Sequence, residues 1–158
     1  MSKRKPDIAY IPTPYDALEV MLELAQLRGE DVVYDLGCGD GRFLITAAQR
    51  YGCSGVGIDL DGDRIAQAQT RANQAGVGNR VTFIQQDLFE TDFRQATVVI
   101  LYLLPHLNLK LRPQLFQQLQ KGDRILSHQF DMDDWPPDQV IHLPHSEEES
   151  TVYLWVIT

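Results

Sequence analysis

Asp35, Gly37, Gly39 and Gly41 occupy alternate positions in VVYDLGCGDGRFL (32–44), after an apolar run and before a helical one. A buried strand ending in closely spaced glycines lets the backbone turn sharply and lie against a ligand. The free N–H groups and positive dipole end of the helix that follows face the same point. This pattern reads as a cofactor cradle. Two further acids close later apolar runs: Asp59, 22 positions after Gly37 and near the roughly 20 expected of a ribose-binding carboxylate, and Asp87, followed by Leu88. A dinucleotide motif GxGxxG would need glycine where Arg42 stands, so the nicotinamide register is not met.

The elements that must carry these residues alternate along the chain. A leading helix is expected over Tyr10 to Gly29, with Thr13 as N-cap, Pro14 at the first helical position and Gly29 as the stop. Strands are expected at Val32 to Leu36, Gly55 to Leu60, Val81 to Gln86, Ala96 to Tyr102 and Arg124 to Gln129. Between them fall helices at Arg42 to Arg50, at Asp61 to Ala75, and from Pro113 to a stop at Gly122. Gln139 to Leu143 and Thr151 to Thr158 read as a closing hairpin. The fold class is therefore α/β: a mostly parallel sheet with a C-terminal antiparallel hairpin and helices on both faces. In such sheets ligands sit beyond the carboxyl ends of the strands.

A length of 158 residues suits one domain, 1–158, with residues 1–9 as a ragged arm. No apolar run approaches the roughly 20 residues of a membrane span, and the basic start MSKRKPD lacks the apolar stretch of a signal peptide. Cys38 and Cys53 are too few for a disulfide framework, which points to reduced thiols and a cytoplasmic home. A net charge of -8 argues against unspecific binding to a phosphate backbone and makes nucleic acid a poor partner. A basic protein substrate is more compatible with it.

The spacing DxGxGxG from Asp35 to Gly41, with Asp59 and Asp87 in register, resembles the motifs of class I methyltransferases, which take S-adenosylmethionine (SAM) as cofactor. YIPTP, VYDLGCGDGR, VVILYLLPHLNLKL, SHQF, DW and VYLW together resemble a narrower group, from Tyr10 to Trp155. That group contains bacterial SAM-dependent methyltransferases and the mitochondrial lysine methyltransferases of the ADP/ATP carrier and the ATP synthase c-subunit. A more distant likeness is to the non-SET histone lysine methyltransferase, whose cofactor site uses a Tyr-x-x-Thr element; Tyr10 and Thr13 stand at that spacing. The resemblance implies a Rossmann-like SAM-dependent methyltransferase that transfers a methyl group in line to a protein lysine. It further implies cofactor contacts from Tyr10, Thr13, Asp35, Gly37, Gly39, Gly41, Asp59, Asp87 and Leu88. A non-catalytic SAM-binding module, a methyltransferase acting on a small molecule or RNA, and a dehydrogenase are the alternatives.

Each residue also has a plainer role open to it. Thr13 suffices as a cap, Tyr10 as a core aromatic, Asp59 as a cap of the next helix, and Cys38 as a small loop residue. Asp35 suits holding the glycine loop or binding through water. His106 and His128 read first as turn histidines. His142 and His145 lack partners at metal-ligand spacing, so no metal is expected. Asp131, Asp133 and Asp134 do not match a calcium loop and read as a solvated acidic loop, as do Glu147, Glu148 and Glu149. The ends of the fourth and fifth strands supply the expected substrate wall: Tyr102 as the candidate catalytic residue, with Leu104, Pro105, His106, Phe130 and Trp135 facing the acceptor.

Overall fold

The computed structural model describes residues 12–144 and 150–158. They build a seven-stranded sheet in the order β3-β2-β1-β4-β5-β7-β6. Its strands are β1 (Val32–Leu36), β2 (Ser54–Asp59), β3 (Val81–Gln85), β4 (Val98–Leu101), β5 (Arg124–His128), β6 (Gln139–Leu143) and β7 (Ser150–Val156). β1 to β5 pair in parallel, and β7 runs antiparallel between β5 and β6. The expected hairpin thus inserts its second strand into the sheet and leaves β6 at the edge. Strand order reverses between β1 and β4, where open sheets of this kind take ligands.

Alternation along the strands divides the core into two layers. Val98 and Ile100 of β4 pack with α1 (Tyr15–Ala25), α2 (Arg42–Tyr51) and α3 (Gly62–Gln74). Val99 and Leu101 pack with α4 (Pro105–Gln118), Phe93 and Trp155 on the opposite face. Among the described residues no helix is long and apolar enough to cross a membrane.

Two helices depart from expectation. Pro14, not Thr13, caps α1, no side chain closes that cap, and the helix ends at Ala25 with Gln26 left-handed rather than running on to Gly29. Thr13 is instead turned toward His128. α4 begins at Pro105, eight positions before Pro113, which the helix accommodates internally. The leucines at 107, 111 and 115 are buried along one side, and burying that row outweighs the proline's cost. Gly122 follows the helix in a turn and is not its stop.

At the sheet end opposite the switch point, buried Asp31 accepts from Arg124 at 2.6 Å and from the Thr97 hydroxyl at 2.7 Å, and Arg124 also bonds the Ala25 and Gln26 carbonyls. Arg124 thereby ties the end of α1 to the entrances of β1, β4 and β5. Removing it leaves a buried carboxylate without its cation, a loss of about 3 kcal/mol. Arg124→Leu should lower the urea midpoint accordingly while leaving ligand affinity at the far end of the sheet unchanged, as equilibrium unfolding and calorimetry would report.

Candidate functional site

The glycine loop is fastened to the end of β2. Gly37 N and Cys38 N both donate to Ile58 O, at 2.7 and 2.9 Å, and Gly39 N donates to the Asp59 carboxylate at 3.0 Å. The other Asp59 oxygen accepts from Asp61 N at 3.0 Å, while Asp61 itself caps α3. Each Asp59 oxygen keeps a lone pair for a further donor. Gly37 has φ of 99°, a backbone that only glycine adopts without strain. Gly41 serves packing: a Cβ there would lie 2.8 Å from the Phe83 ring and 3.1 Å from Ala68, so this third glycine lets α2 sit close to β3 and α3.

Asp40 organises the loop from beneath. It is buried and takes Arg42 on both oxygens, at 3.2 and 2.9 Å, with Arg71 at 2.8 Å. Burial opposes its ionisation, but the two guanidiniums outweigh burial and hold the carboxyl below its usual range. Arg42 then reaches the Thr13 carbonyl at 3.1 Å and lies 4.8 Å over the Tyr15 ring, joining the loop to the start of α1.

A cleft of about 1040 Å³, counting its open mouth, lies beyond these strand ends. Of the candidate residues, Thr13, Asp35, Gly37, Asp59, Leu88, Tyr102 and Leu104 line it. Gly39 and Gly41 shape the loop without facing the cleft. Asp87 does not line it either: its carboxylate accepts from Phe89 N at 3.0 Å and caps the 3₁₀ turn Leu88–Glu90, while Gln86 and Leu88 on either side do face it. Pro105 and His106 are exposed on the first turn of α4, outside the cleft. Phe130 stands behind Tyr102, their rings stacked 6.4 Å apart. Trp135 is elsewhere, packed on Phe116 and Trp155 at 4.5 and 5.6 Å, with its carbonyl accepting from Trp155 Nε1. Tyr10 lies outside the described residues.

The sequence reading missed Met21, Arg42, Phe43, Ile58, Arg64, Gln86, Ile100 and Leu107, all of which line the cleft. Arg64, two positions beyond the start of α3, was open to inference from helix spacing. Leu107 of α4 was hidden by the misplaced start of that helix.

Asp35 is the unusual group. Only 7% of it is exposed; burial first, then the Asp59 and Asp40 carboxylates, push its pKa up to about 8. All three of these influences act in the same direction on Asp35. A carboxyl so placed fits a cleft whose ligand brings its own positive charge, as the sulfonium of SAM does.

Comparison with known proteins gives the family and the cofactor class. The family model for the ANTKMT methyltransferase domain matches residues 35–139. The chain belongs to that family. A protein-lysine N-methyltransferase of Saccharolobus islandicus is 40% identical over 153 residues, covering 96% of this chain and 95% of the relative. The human lysine N-methyltransferase of the ATP synthase c-subunit is 29% identical over 137 residues, and this chain spans 58% of its length. The crystal structure of a Salinibacter ruber RNA methyltransferase in complex with S-adenosyl-L-homocysteine (SAH) is 50% identical, with a TM-score of 0.89 over 93% of this chain and 94% of that one. This member of the ANTKMT methyltransferase family is a SAM-dependent methyltransferase with a Rossmann-like fold.

Proton linkage follows from Asp35. Below pH 8 the carboxyl is mostly protonated in the ligand-free protein, and a cationic ligand favours its ionised form, so binding expels a proton. SAM affinity should therefore rise with pH from 6 to about 8 and then level off. Calorimetry in buffers of different ionisation enthalpy should detect the proton, and Asp35→Asn should abolish both effects. A flat profile for the unsubstituted protein contradicts this account.

Proposed function

We propose that this methyltransferase N-methylates a lysine side chain of a protein. The observation that carries the reading is the wall that the exit of β4 and the start of α4 give the cleft. Ile100, Leu103, Leu104 and Leu107 make it apolar, and Tyr102 is its polar side chain. Outside it, Asp131, Asp133 and Asp134 are exposed. An apolar slot with an acidic approach suits a long aliphatic chain ending in an amine. The relatives named for methylating protein lysine and the lysine of the ATP synthase c-subunit support the same class of acceptor.

In this reading the Asp59 carboxylate takes the ribose hydroxyls, Leu88 and Gln86 flank the adenine, and Asp35 faces the positively charged end of SAM. Bound SAM supplies an electrophilic methyl on a sulfonium, open to in-line displacement by a nucleophile. The protein's task is then to align the amine and keep it neutral. Orientation alone is worth up to roughly 7–11 kcal/mol in well-placed models. A lysine with reference pKa about 10.4 needs roughly 4 kcal/mol to lose its proton at pH 7.5. An apolar wall lowers that requirement by disfavouring the ammonium. Tyr102 is the side chain of this wall able to orient the neutral amine, and no strong base is required.

RNA is the second reading, favoured by the description of the Salinibacter relative. Against it stand the net charge of -8 and the exposed aspartates that follow Phe130, since grip on RNA rests on neutralising phosphates. Incubation of the protein with methyl-labelled SAM and cell lysate separates the two. Label should enter protease-sensitive, RNase-resistant bands and appear as methyl-lysine after acid hydrolysis, and Tyr102→Ala should reduce it by about 10²-fold with SAM still bound, the scale of a misaligned acceptor. Label recovered in RNA, or in no macromolecule, overturns the lysine assignment.

A further inference from the structure

The wall carrying Tyr102 rests on a strained turn. β5 ends at His128, Gln129 follows with φ of 74°, and Phe130 N donates back to His128 O at 3.0 Å. This is a γ-turn with a left-handed central residue, rare outside glycine, and it persists only where the surroundings impose it. They do so here: Ser127 Oγ donates to Phe130 O at 2.6 Å and Gln129 N to Thr151 O at 2.7 Å. Thr151 N donates to Gln129 Oε1 at 3.0 Å, and the buried Asn108 amide bonds both the Phe130 and Asp131 carbonyls at 3.2 Å.

What the turn delivers is His128. Its side chain is fully buried, with Nε2 2.9 Å from the Ser150 hydroxyl of β7 and Nδ1 3.4 Å from the Thr13 hydroxyl. The ring stands edge-on to Tyr102, centroids 4.3 Å apart, while Phe130 from the other end of the turn stacks near the same ring. Thr13 and Tyr102 both line the cleft, and His128, which does not, touches both.

We propose that His128 is a positioning residue for methyl transfer: acting through Tyr102, it fixes the wall against which the acceptor amine is aligned with the methyl group. This rests on the reading of the Tyr102 wall as the acceptor side. In-line displacement makes that alignment matter, because a 1 Å misplacement costs roughly 10²-fold in rate. Burial lowers the imidazole pKa to about 4 against the opposing charge of Asp16 on α1, so at neutral pH the ring is an uncharged strut. Bonded to two hydroxyls and outside the cleft, it takes no proton from the acceptor.

The test uses the full chain labelled with 3-fluorotyrosine, the Tyr102 resonance being assigned by Tyr102→Phe. In His128→Ala, SAH affinity should stay within about twofold of the unsubstituted protein while the Tyr102 fluorine signal moves toward that of a solvent-exposed tyrosine. With lysate as acceptor, kcat should fall about tenfold at unchanged KM for SAM. His128→Gln, which keeps a neutral hydrogen-bonding group, should recover most of the rate, and His128→Ala should cost nothing more in a Tyr102→Ala background. If His128→Ala does not fold, Ser150→Ala removes the Nε2 link while keeping the imidazole and should also lower kcat at unchanged SAH affinity. An unmoved Tyr102 signal, additive losses in the double variant, or full activity of Ser150→Ala would overturn the positioning role. The fluorine measurement needs no acceptor, so a failure of the lysine assignment leaves it decisive.

Discussion

Everything at the functional end of this sheet depends on how the glycine loop is fastened to β2. Three consecutive backbone N–H groups, those of Gly37, Cys38 and Gly39, are satisfied by the Ile58 carbonyl and the Asp59 carboxylate. Without those acceptors the loop would expose buried donors, which is costly, so the tight turn and the position of Asp59 are one constraint. The loop is shaped before any ligand arrives, and little ordering is left for binding to supply. Asp40, with Arg42 and Arg71, extends the same fastening to the starts of α1 and α2 and to α3.

The cleft is polar on one side and apolar on the other, and charge explains the division. Asp35 and Asp59 line it at the ends of β1 and β2, and burial with the neighbouring carboxylates raises the Asp35 pKa. The leucines of β4's exit and α4 line it with uncharged surface. Methyl transfer from SAM removes the positive charge from the sulfur, so the groups around the cofactor and those around the acceptor meet different electrostatic demands. The γ-turn after β5 gives the apolar side its rigidity.

The sequence made the sheet and the cofactor side legible. Strand hydrophobicity, alternation with helices and the glycine spacing all follow from backbone rules that act over short distances. Asp59 was readable because a strand end fixes where its side chain can go. The acceptor side was harder. Pro113 reads as a helix start, although the buried row of Leu107, Leu111 and Leu115 carries α4 through it, and this leaves Pro105 and His106 in an imagined loop. Closeness to β5 along the chain suggests Trp135 for the site, but the backbone turns at Gln129 and Asp133, both left-handed, and delivers it to Trp155 instead. His128 looks like an ordinary turn histidine because its partners, Thr13, Tyr102 and Ser150, come from distant parts of the chain.

A crystal structure of this protein with SAH tests the central claim most directly. The account predicts the ribose hydroxyls on Asp59, the adenine beside Leu88 and Gln86, and the thioether sulfur turned toward Tyr102, with the Gly37–Gly39 loop unmoved. SAH bound outside the cleft, or a loop that must unfasten from Ile58 and Asp59 to admit it, would contradict the account.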